Sequence, residues 1–475
     1  MNEDTYKDFY ETLEASKTDP FSLSVKQAFD WFVEFIGQEE WVVRKGKVVQ
    51  YFQNMNQSIY KKKDGEAIKQ GKNKIAMYED WISWYMYLAE AVIDKPSVSE
   101  PNQSSRVFPF FSMIGDYRTE LEAISGIEGK LQDLLTKNIN QPDSVLFEMV
   151  VAICYARNGW DVEFIPETRA HKTPDLLVKK GDETYYVECK RLGKATEYSE
   201  NERNEWLKRW NLLVPAFFHY PDSTFIEVTF KQEVAKTNPN LLSKAFLDMA
   251  QCGAISKGVC VENDEIKVCA KHIDMKRVEQ HFDKWMVKYP SAQLYELFDD
   301  EYVPYGSYTI AGEINLVEVG EEGDVINIFA NKVSKVFCAR WQCIADASID
   351  KKAKDVKKLL SKAVKQAPND FPTVIHIGYE TLHGPEIEIL RDQKITSLIS
   401  EFKFGDQSVA SVFCHSFQPR HFADGNWDFA ETTRYYGIEI NPDAILKESL
   451  LLQRDGVETS NDSHWMQDLR EYMNN

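Results

Sequence analysis

Three side chains that could act on a phosphate group lie within one short stretch of the chain. These are Asp175, Glu188 and Lys190, and two apolar runs between them flank the pair Gly181 and Asp182. Such a pair is typical of a tight turn between antiparallel strands. If it forms the centre of a hairpin, Asp175 lies opposite Glu188. Since side chains on a strand alternate between its two faces, Lys190 shares the face of Glu188.

This arrangement predicts a metal site. Two carboxylates directly opposite each other in a sheet repel and destabilise it, which a purely structural hairpin would avoid. A divalent cation between them removes the repulsion, and carboxylate oxygens suit a hard ion such as Mg²⁺ or Mn²⁺. A lysine two residues after Glu188 can hold a water molecule or a scissile phosphate beside the ion.

The segments ahead of the hairpin have the periodicity of a helix followed by a strand. Residues 144–159 are predicted to form a helix, with Asp143 or Ser144 as its N-cap and Gly159 as its C-terminal stop. Residues 160–167 follow, and their apolar positions alternate as in a β-strand.

The order of these elements, with the sequence PD at 174–175 and ECK at 188–190, resembles the PD-(D/E)xK nuclease superfamily. The resemblance covers residues 143–191. It implies an α/β fold with a restriction-endonuclease-like core, in which helices flank a mixed central sheet.

The resemblance also implies a role for each residue of the motif. Asp175, Glu188 and the backbone carbonyl of Cys189 are expected to hold Mg²⁺ or Mn²⁺. Glu148, on the preceding helix, is expected to reach the ion directly or through water. Lys190 is expected to position and polarise the attacking water, while the ion stabilises the charge that grows on the phosphate.

The net charge of −19 means that any surface that binds nucleic acid must be a local feature. Residues 350–366 are predicted to form a helix with a lysine stripe on one face and an apolar stripe on another. The alternative is an ordinary solvated lysine face. Five side chains are predicted to contact nucleic acid: Lys354, Lys358, Lys362, Lys365 and Arg191.

A second basic stretch runs from Arg44 to Lys74, with Tyr51, Phe52 and Tyr60 between its charges. It could form a surface on which single-stranded bases stack. The alternative is that the aromatic side chains belong to a helix core and the lysines to exposed loops.

The predicted organisation has a helical N-terminal domain at 1–130 and a nuclease domain at 131–455. An insertion around 231–345 interrupts the nuclease domain, and a tail follows at 456–475. The last core helix and strand are assigned to residues 350–379, although residues 200–230 could supply them instead. The aromatic-rich N-terminal domain is the expected interface for a homo-oligomer or a partner.

Composition restricts the remaining possibilities. A chain of 475 residues with 43% hydrophobic residues is typical of a packed globular protein. Neither a signal peptide nor an apolar run long enough to cross a membrane is present, so we expect a cytoplasmic protein without membrane contact. The scattered cysteines do not indicate a disulfide framework. His376, in an apolar strand, is interpreted as a hydrogen-bonded core residue.

These observations predict a metal-dependent endonuclease, with DNA as the expected substrate. By resemblance, prokaryotic restriction or phage defence is the expected setting. Because the chain lacks a Gly-rich phosphate loop, any coupled ATPase would be a separate defence-system subunit. The alternatives are a nuclease-fold binding module without catalysis and an RNA-cleaving member of the same fold.

Overall fold

The chain folds as a mixed α/β protein with two mixed β-sheets. Its computed structural model describes residues 17–60, 78–95, 98, 100–166, 173–193, 196–321, 323–424, 426–454 and 462–474. The described residues ahead of the first strand are mainly helical. Their helices are α1 (Pro20–Ile36), α2 (Gln38–Tyr60), α3 (Trp81–Asp94), α4 (Pro101–Asp116), α5 (Arg118–Ala123), α6 (Ile127–Gln132) and α7 (Pro142–Arg157).

Strands and helices are interspersed in the rest of the chain. The described strands are β1 (Asp161–Phe164), β2 (Leu176–Lys180), β3 (Glu183–Arg191), β4 (Thr224–Phe230), β5 (Val261–Glu262), β6 (Ile266–His272), β7 (Val287–Lys288), β8 (Ser307–Val319), β9 (Asn327–Cys343), β10 (Thr373–Glu380), β11 (Val409–His421) and β12 (Trp427–Gly437). The described helices are α8 (Glu197–His219), α9 (Leu241–Cys252), α10 (Ala254–Lys257), α11 (Met275–Phe282), α12 (Ala292–Glu296), α13 (Asp346–Val364), α14 (Pro385–Ser400), α15 (Pro442–Ile445) and α16 (His464–Asn474).

The first sheet has the strand order β1-β2-β3-β10-β11-β12. The strands β1, β2 and β3 form an antiparallel meander, β10 runs parallel to both β3 and β11, and β12 closes the edge antiparallel to β11. Leu176 pairs with Val187 across the hairpin, which confirms the predicted register. The turn needs Gly181, because this residue has a φ of 59° in the left-handed region.

Helices cover both faces of the first sheet. Val187 of β3 packs in an apolar cluster with α7 and α4, whereas Ile375 and Ile377 of β10 pack with α13 and α14 on the opposite face. Glu188 and Lys190 pair in register with these two isoleucines, so they point to the α13 face. The strand β10 is apolar along most of its length because it is buried on both sides, as a central parallel strand must be.

The helix and strand predicted at 350–379 are confirmed as α13 and β10, and β10 lies directly beside β3. Residues 200–230, the alternative source of these elements, contribute α8 and β4 instead. The strand β4 belongs to the second sheet.

The second sheet has the order β5-β6-β4-β9-β7, with β8 paired along β9. Trp206 and Trp210 of α8 pack on one face together with α9, and Val278 of α11 packs on the other face with Leu294 of α12. All of its strands come from the chain between β3 and β10. The sheet includes β4 as well as strands from residues 231–345, where the insertion is predicted.

The predicted N-cap of α7 is wrong. The helix begins at Pro142, and Gln141 occupies the cap position without a side-chain hydrogen bond. Proline suits the first helical position because its φ is already helical and its missing N–H would have no partner there. Asp143 instead accepts a hydrogen bond from the Tyr85 hydroxyl at 2.9 Å. The C-terminal stop agrees with the prediction, since the helix ends just before Gly159, whose φ is 77°.

The N-terminal helices share one apolar cluster with α7 and the first sheet. Most of their described aromatic side chains, including Phe32, Trp41 and Phe111, are buried in it, whereas Phe35 is 36% exposed. Arg44 is also buried, where it contacts Asp80 and donates to the Leu135 carbonyl at 2.7 Å. It is therefore not available for nucleic acid. The lysines from 61 to 74 lie outside the described residues.

Two further expectations concern the cysteines and the C-terminal tail. Cys260 and Cys269 form a disulfide beside the β5–β6 pair, although the sequence indicated no disulfide framework. Within the predicted tail, α16 packs Trp465 into the protein. None of the described helices is both long and apolar enough to cross a membrane.

Candidate active site

The candidate site centres on Glu188, in the interior of the first sheet. Because β3 lies between β2 and β10, the Glu188 side chain is fully buried, with 0% exposure. Among the described residues, neither oxygen of its carboxylate accepts a hydrogen bond of ordinary geometry. It forms an ion pair with the Lys190 ammonium. A buried carboxylate with so few donors is unfavourable in a role that is only structural.

Asp175 and Cys189 place further oxygen atoms beside this carboxylate. The Cys189 backbone N–H donates to Asp175 Oδ2 at 2.7 Å, and Lys190 Nζ donates to the Cys189 carbonyl oxygen at 3.3 Å. Lys190 therefore contacts both the Glu188 carboxylate and the Cys189 carbonyl. These are two of the groups that the sequence assigns to the metal ion.

A second lysine reaches the site, and the sequence analysis missed it. Lys130 of α6 forms an ion pair with Glu148 of α7, with 2.5 Å between Nζ and Oε2. Both side chains are largely buried, at 6% and 12% exposure. The available signal was spacing: Lys130 lies three residues after Ile127 and four before Leu134, two buried apolar residues, so it is a lysine within an apolar helical stripe.

The acids of the site affect one another electrostatically. Burial, and then the charge of Asp175, raises the pKa of Glu148 to about 7 and that of Glu188 to about 8. Lys130 and Lys190 oppose these shifts, each through the carboxylate that it contacts. Although burial lowers it, the pKa of Lys190 is raised overall by the charges of Asp175 and Glu188. The four predicted catalytic residues therefore interact electrostatically, with Glu148 contributed by α7 and Glu188 and Lys190 by β3.

The donor set around Glu188 fits a metal ion on one condition. Among the described residues, no group of three or more histidine, cysteine, aspartate and glutamate side chains is arranged to hold one. The oxygens of Glu188, Asp175 and the Cys189 carbonyl nevertheless suit a hard cation, and the Glu188 carboxylate lacks ordinary hydrogen bonds. The set fits Mg²⁺ or Mn²⁺ provided that the Lys190 ammonium moves away from Glu188.

The predicted lysine stripe lies on the exposed face of α13, and its apolar stripe is buried against β10. The helix also packs against β3, the strand that carries Glu188. Lys358 forms an ion pair with Asp355 at 2.8 Å. The exposed side chains at the predicted contact positions are Lys354, Lys358, Lys362 and Lys365.

Arg191 does not lie with these lysines. Its side chain is 5% exposed, and its guanidinium lies 4.3 Å from the centre of the Phe110 ring. It also contacts Glu380, with 3.5 Å between Nη2 and Oε1. Arg191 is therefore not placed for the nucleic-acid contact expected from the sequence, because the protein encloses its charge.

His376 is a core residue, which confirms the interpretation made from its apolar strand. Its side chain is fully buried, with Nε2 3.1 Å from the Tyr155 hydroxyl and Nδ1 2.9 Å from His415 Nε2. Burial and the neighbouring His415 hold the pKa of His376 well below its ordinary value. This buried histidine pair links β10 to β11 within the sheet.

Comparison with known proteins identified no related protein. No protein-family model, no curated protein and no solved structure matches the chain. Any functional conclusion therefore depends on the residues themselves.

Proposed function

We propose that this chain is a metal-dependent nuclease that hydrolyses phosphodiester bonds in nucleic acid, with DNA as its expected substrate and a core of the PD-(D/E)xK type. One observation carries the proposal. Glu188 is fully buried, lacks ordinary hydrogen bonds and lies among other acids, and Lys190 contacts it from the same face. Strongly raised acid pKa values in such a cluster are typical of functional sites.

In this proposal each residue has a separate task. Asp175, Glu188 and the Cys189 carbonyl would hold Mg²⁺ or Mn²⁺, with Glu148 directly or through water as a further ligand. When bound, the ion would supply Lewis-acid stabilisation of the charge that develops on the phosphate. The Lys190 ammonium, displaced from Glu188, would hold and orient the attacking water. Burial of the site keeps bulk water from screening these charges.

The surroundings of the reaction are part of the same proposal. The exposed lysines of α13 would contact the phosphate backbone next to the site, because α13 packs against β3. A homo-oligomer would let two sites cut the two strands of a duplex. Restriction or phage defence in the cytoplasm of a prokaryote, with a separate ATPase or defence-system subunit, remains the expected setting.

A second candidate is a binding module of the same fold that does not cleave. The absence of a three-residue metal group among the described side chains favours this candidate, as does the contact between Lys190 and Glu188. In a module, the lysine would be a permanent counter-ion and α13 would dock nucleic acid or a protein.

A cleavage assay separates the candidates. The purified chain is incubated with supercoiled plasmid, linear duplex, single-stranded DNA or RNA, each with Mg²⁺, Mn²⁺ or a chelator. A nuclease cleaves at least one substrate only with metal, and the preferred substrate distinguishes a DNA-cleaving from an RNA-cleaving enzyme. Glu188→Gln should be inactive, whereas Glu183→Gln, at the exposed start of the same strand, should retain activity. Calorimetry that detects no binding of either metal would favour the module.

A further inference from the structure

We propose that Lys130 is a positioning residue of the candidate site, which holds Glu148 and competes with the divalent cation for that carboxylate. The inference rests on the proposed function, since it concerns how tightly the same site binds its metal ion. It extends the site into the helical segment ahead of the nuclease motif.

The position of Lys130 is fixed by the backbone on either side of it. The Phe164 N–H of β1 donates to the Ser125 carbonyl at 2.8 Å, which attaches this segment to the edge of the first sheet. Gly126 follows with a φ of 85°, and a Cβ at this residue would lie 2.6 Å from the Phe164 carbonyl oxygen. A glycine is needed for so close an approach. The segment that carries Lys130 is therefore held against β1, and this contact keeps the Lys130 ammonium beside Glu148.

The charges of the site explain why this contact should matter. Three carboxylates, those of Asp175, Glu188 and Glu148, interact with two ammonium groups, Lys130 and Lys190. The ammonium of Lys130 contributes one positive charge close to Glu148 and interacts with Asp175 as well. A divalent ion that binds the same acids has to compete with this ammonium for the Glu148 carboxylate. Removing it should make the acids a stronger site for the ion.

The test measures Mn²⁺ binding by calorimetry, without nucleic acid, for the full chain and three variants. Lys130→Met keeps the length of the side chain and removes the charge, so its affinity for Mn²⁺ should rise on the order of tenfold. Lys130→Arg keeps the charge and should bind as the wild type does. Lys137→Met is the matched control, because Lys137 lies in the same part of the chain, is 65% exposed and pairs with Asp133.

A second readout separates positioning from a structural role. After chelator treatment, Lys130→Met should melt at a lower temperature than wild type, because the charge of Glu148 no longer has this partner. Saturating Mn²⁺ should close most of that gap by supplying the missing positive charge. A lysine that only supports packing would leave the gap unchanged. If Lys130→Met does not fold, Lys130→Gln provides the same comparison with a neutral side chain that can still donate to Glu148.

The outcomes distinguish this inference from the proposed function. If the wild type and the Met or Gln variant bind Mn²⁺ equally tightly, Lys130 does not compete with the ion and only this inference is overturned. If the wild type binds no Mn²⁺, the metal site itself is rejected and both proposals are overturned. Tighter binding by the neutral variants, with wild-type binding by the arginine variant, supports the competition.

Discussion

Two acids are fully buried and have opposite surroundings: Glu188 in the first sheet, and Asp299 in the loop between α12 and β8, beside the second sheet. In the second sheet region, Asp299 is 0% exposed and accepts hydrogen bonds from the Tyr308 hydroxyl at 2.9 Å and from Arg340 at 2.8 Å. The Glu301 backbone N–H donates to its other oxygen at 3.1 Å. In the first sheet, Glu188 is equally buried, but it lacks ordinary hydrogen bonds and has other acids nearby.

The difference shows what burial alone does not reveal. An acid such as Asp299, surrounded by donors, stabilises a structure, and its removal leaves those donors without a partner. An acid such as Glu188, placed among other acids with the Lys190 ammonium as its ion-pair partner, raises the free energy of the folded state unless further positive charge binds there. A buried acid surrounded by donors is typical of a structural role, whereas a buried acid among other acids is typical of a ligand-binding site.

The largest expected effect is on cleavage. Glu188→Gln and Lys190→Met should each lower the rate by on the order of a thousandfold or more, because each removes a group from the proposed reaction centre. Asp299→Asn should leave the cleavage rate of the folded protein unchanged, since it lies in the other sheet region. Initial rates on the preferred substrate with Mn²⁺ provide the measurement. A fully active Glu188→Gln variant would contradict the assignment of Glu188 to a functional site and of Asp299 to a structural role.

For stability we expect the opposite order, with the larger effect at Asp299 and the smaller effect at Glu188. Asp299→Ala should lower the free energy of unfolding by about 3–5 kcal/mol, because it deprives the largely buried Arg340 charge of a carboxylate partner. Glu188→Gln should change it by less than about 1 kcal/mol at neutral pH, because the amide resembles the protonated acid that burial already favours. Urea denaturation of both variants after chelator treatment tests this. Equal decreases at the two positions would contradict it.

A smaller effect is expected on nucleic-acid affinity. Replacing Lys354, Lys358 and Lys362 together by glutamine should weaken binding uniformly across sequences. It should also reduce the dependence on salt by roughly one unit of slope for each phosphate that a lysine no longer neutralises. The same number of substitutions among exposed lysines of the second sheet region, such as Lys267 and Lys332, should have no effect. Fluorescence anisotropy over a range of salt concentrations compares the two. An unchanged slope would mean that α13 is an ordinary solvated face.

The smallest expected effect is on the pH dependence of stability. The pKa of Glu148 is raised to about 7 and that of Glu188 to about 8 from an ordinary value of 4.5, so the folded protein keeps protons that the unfolded chain has released. Their contribution to the free energy of unfolding therefore falls as pH rises through this interval. Mn²⁺ affinity should rise over the upper part of the interval, because the ligands must release their protons.

Melting temperatures of the chelator-treated protein at a series of pH values, with and without Mn²⁺, measure both effects. The melting temperature of the double variant Glu148→Gln and Glu188→Gln should fall less steeply with rising pH than that of the wild type. If the melting temperature of the wild type instead rises with pH relative to that of the double variant, ionising these two acids does not destabilise the folded protein, and the prediction is wrong.

Much of the first sheet could be predicted from local signals. A Gly-Asp turn with apolar runs on both sides fixes the register of β2 and β3, and the lysine and apolar stripes of α13 follow from helical periodicity. The grouping of Asp175, Glu188 and Lys190 followed from that register. These features depend on residues close together in the chain, where pattern and geometry are directly related.

The features that sequence analysis missed depend on distant contacts. The enclosure of Arg191 by Phe110 and Glu380 joins segments far apart in the chain, and no local pattern indicates it. The partnership of Lys130 and Glu148 depends on the close approach of α6 to α7. The membership of β4 in the second sheet depended on its parallel pairing with β9, which alternation within one strand cannot specify.

The strand order of the first sheet also has a consequence for biosynthesis. The motif strand β3 ends at Arg191, but its parallel neighbour β10 begins at Thr373, after the entire second sheet. A ribosome therefore synthesises the acids and lysine of the site long before it synthesises the strand that encloses Glu188. Closing so long a loop slows folding. The nascent chain consequently cannot complete this site until the whole second sheet and then β10 have been synthesised.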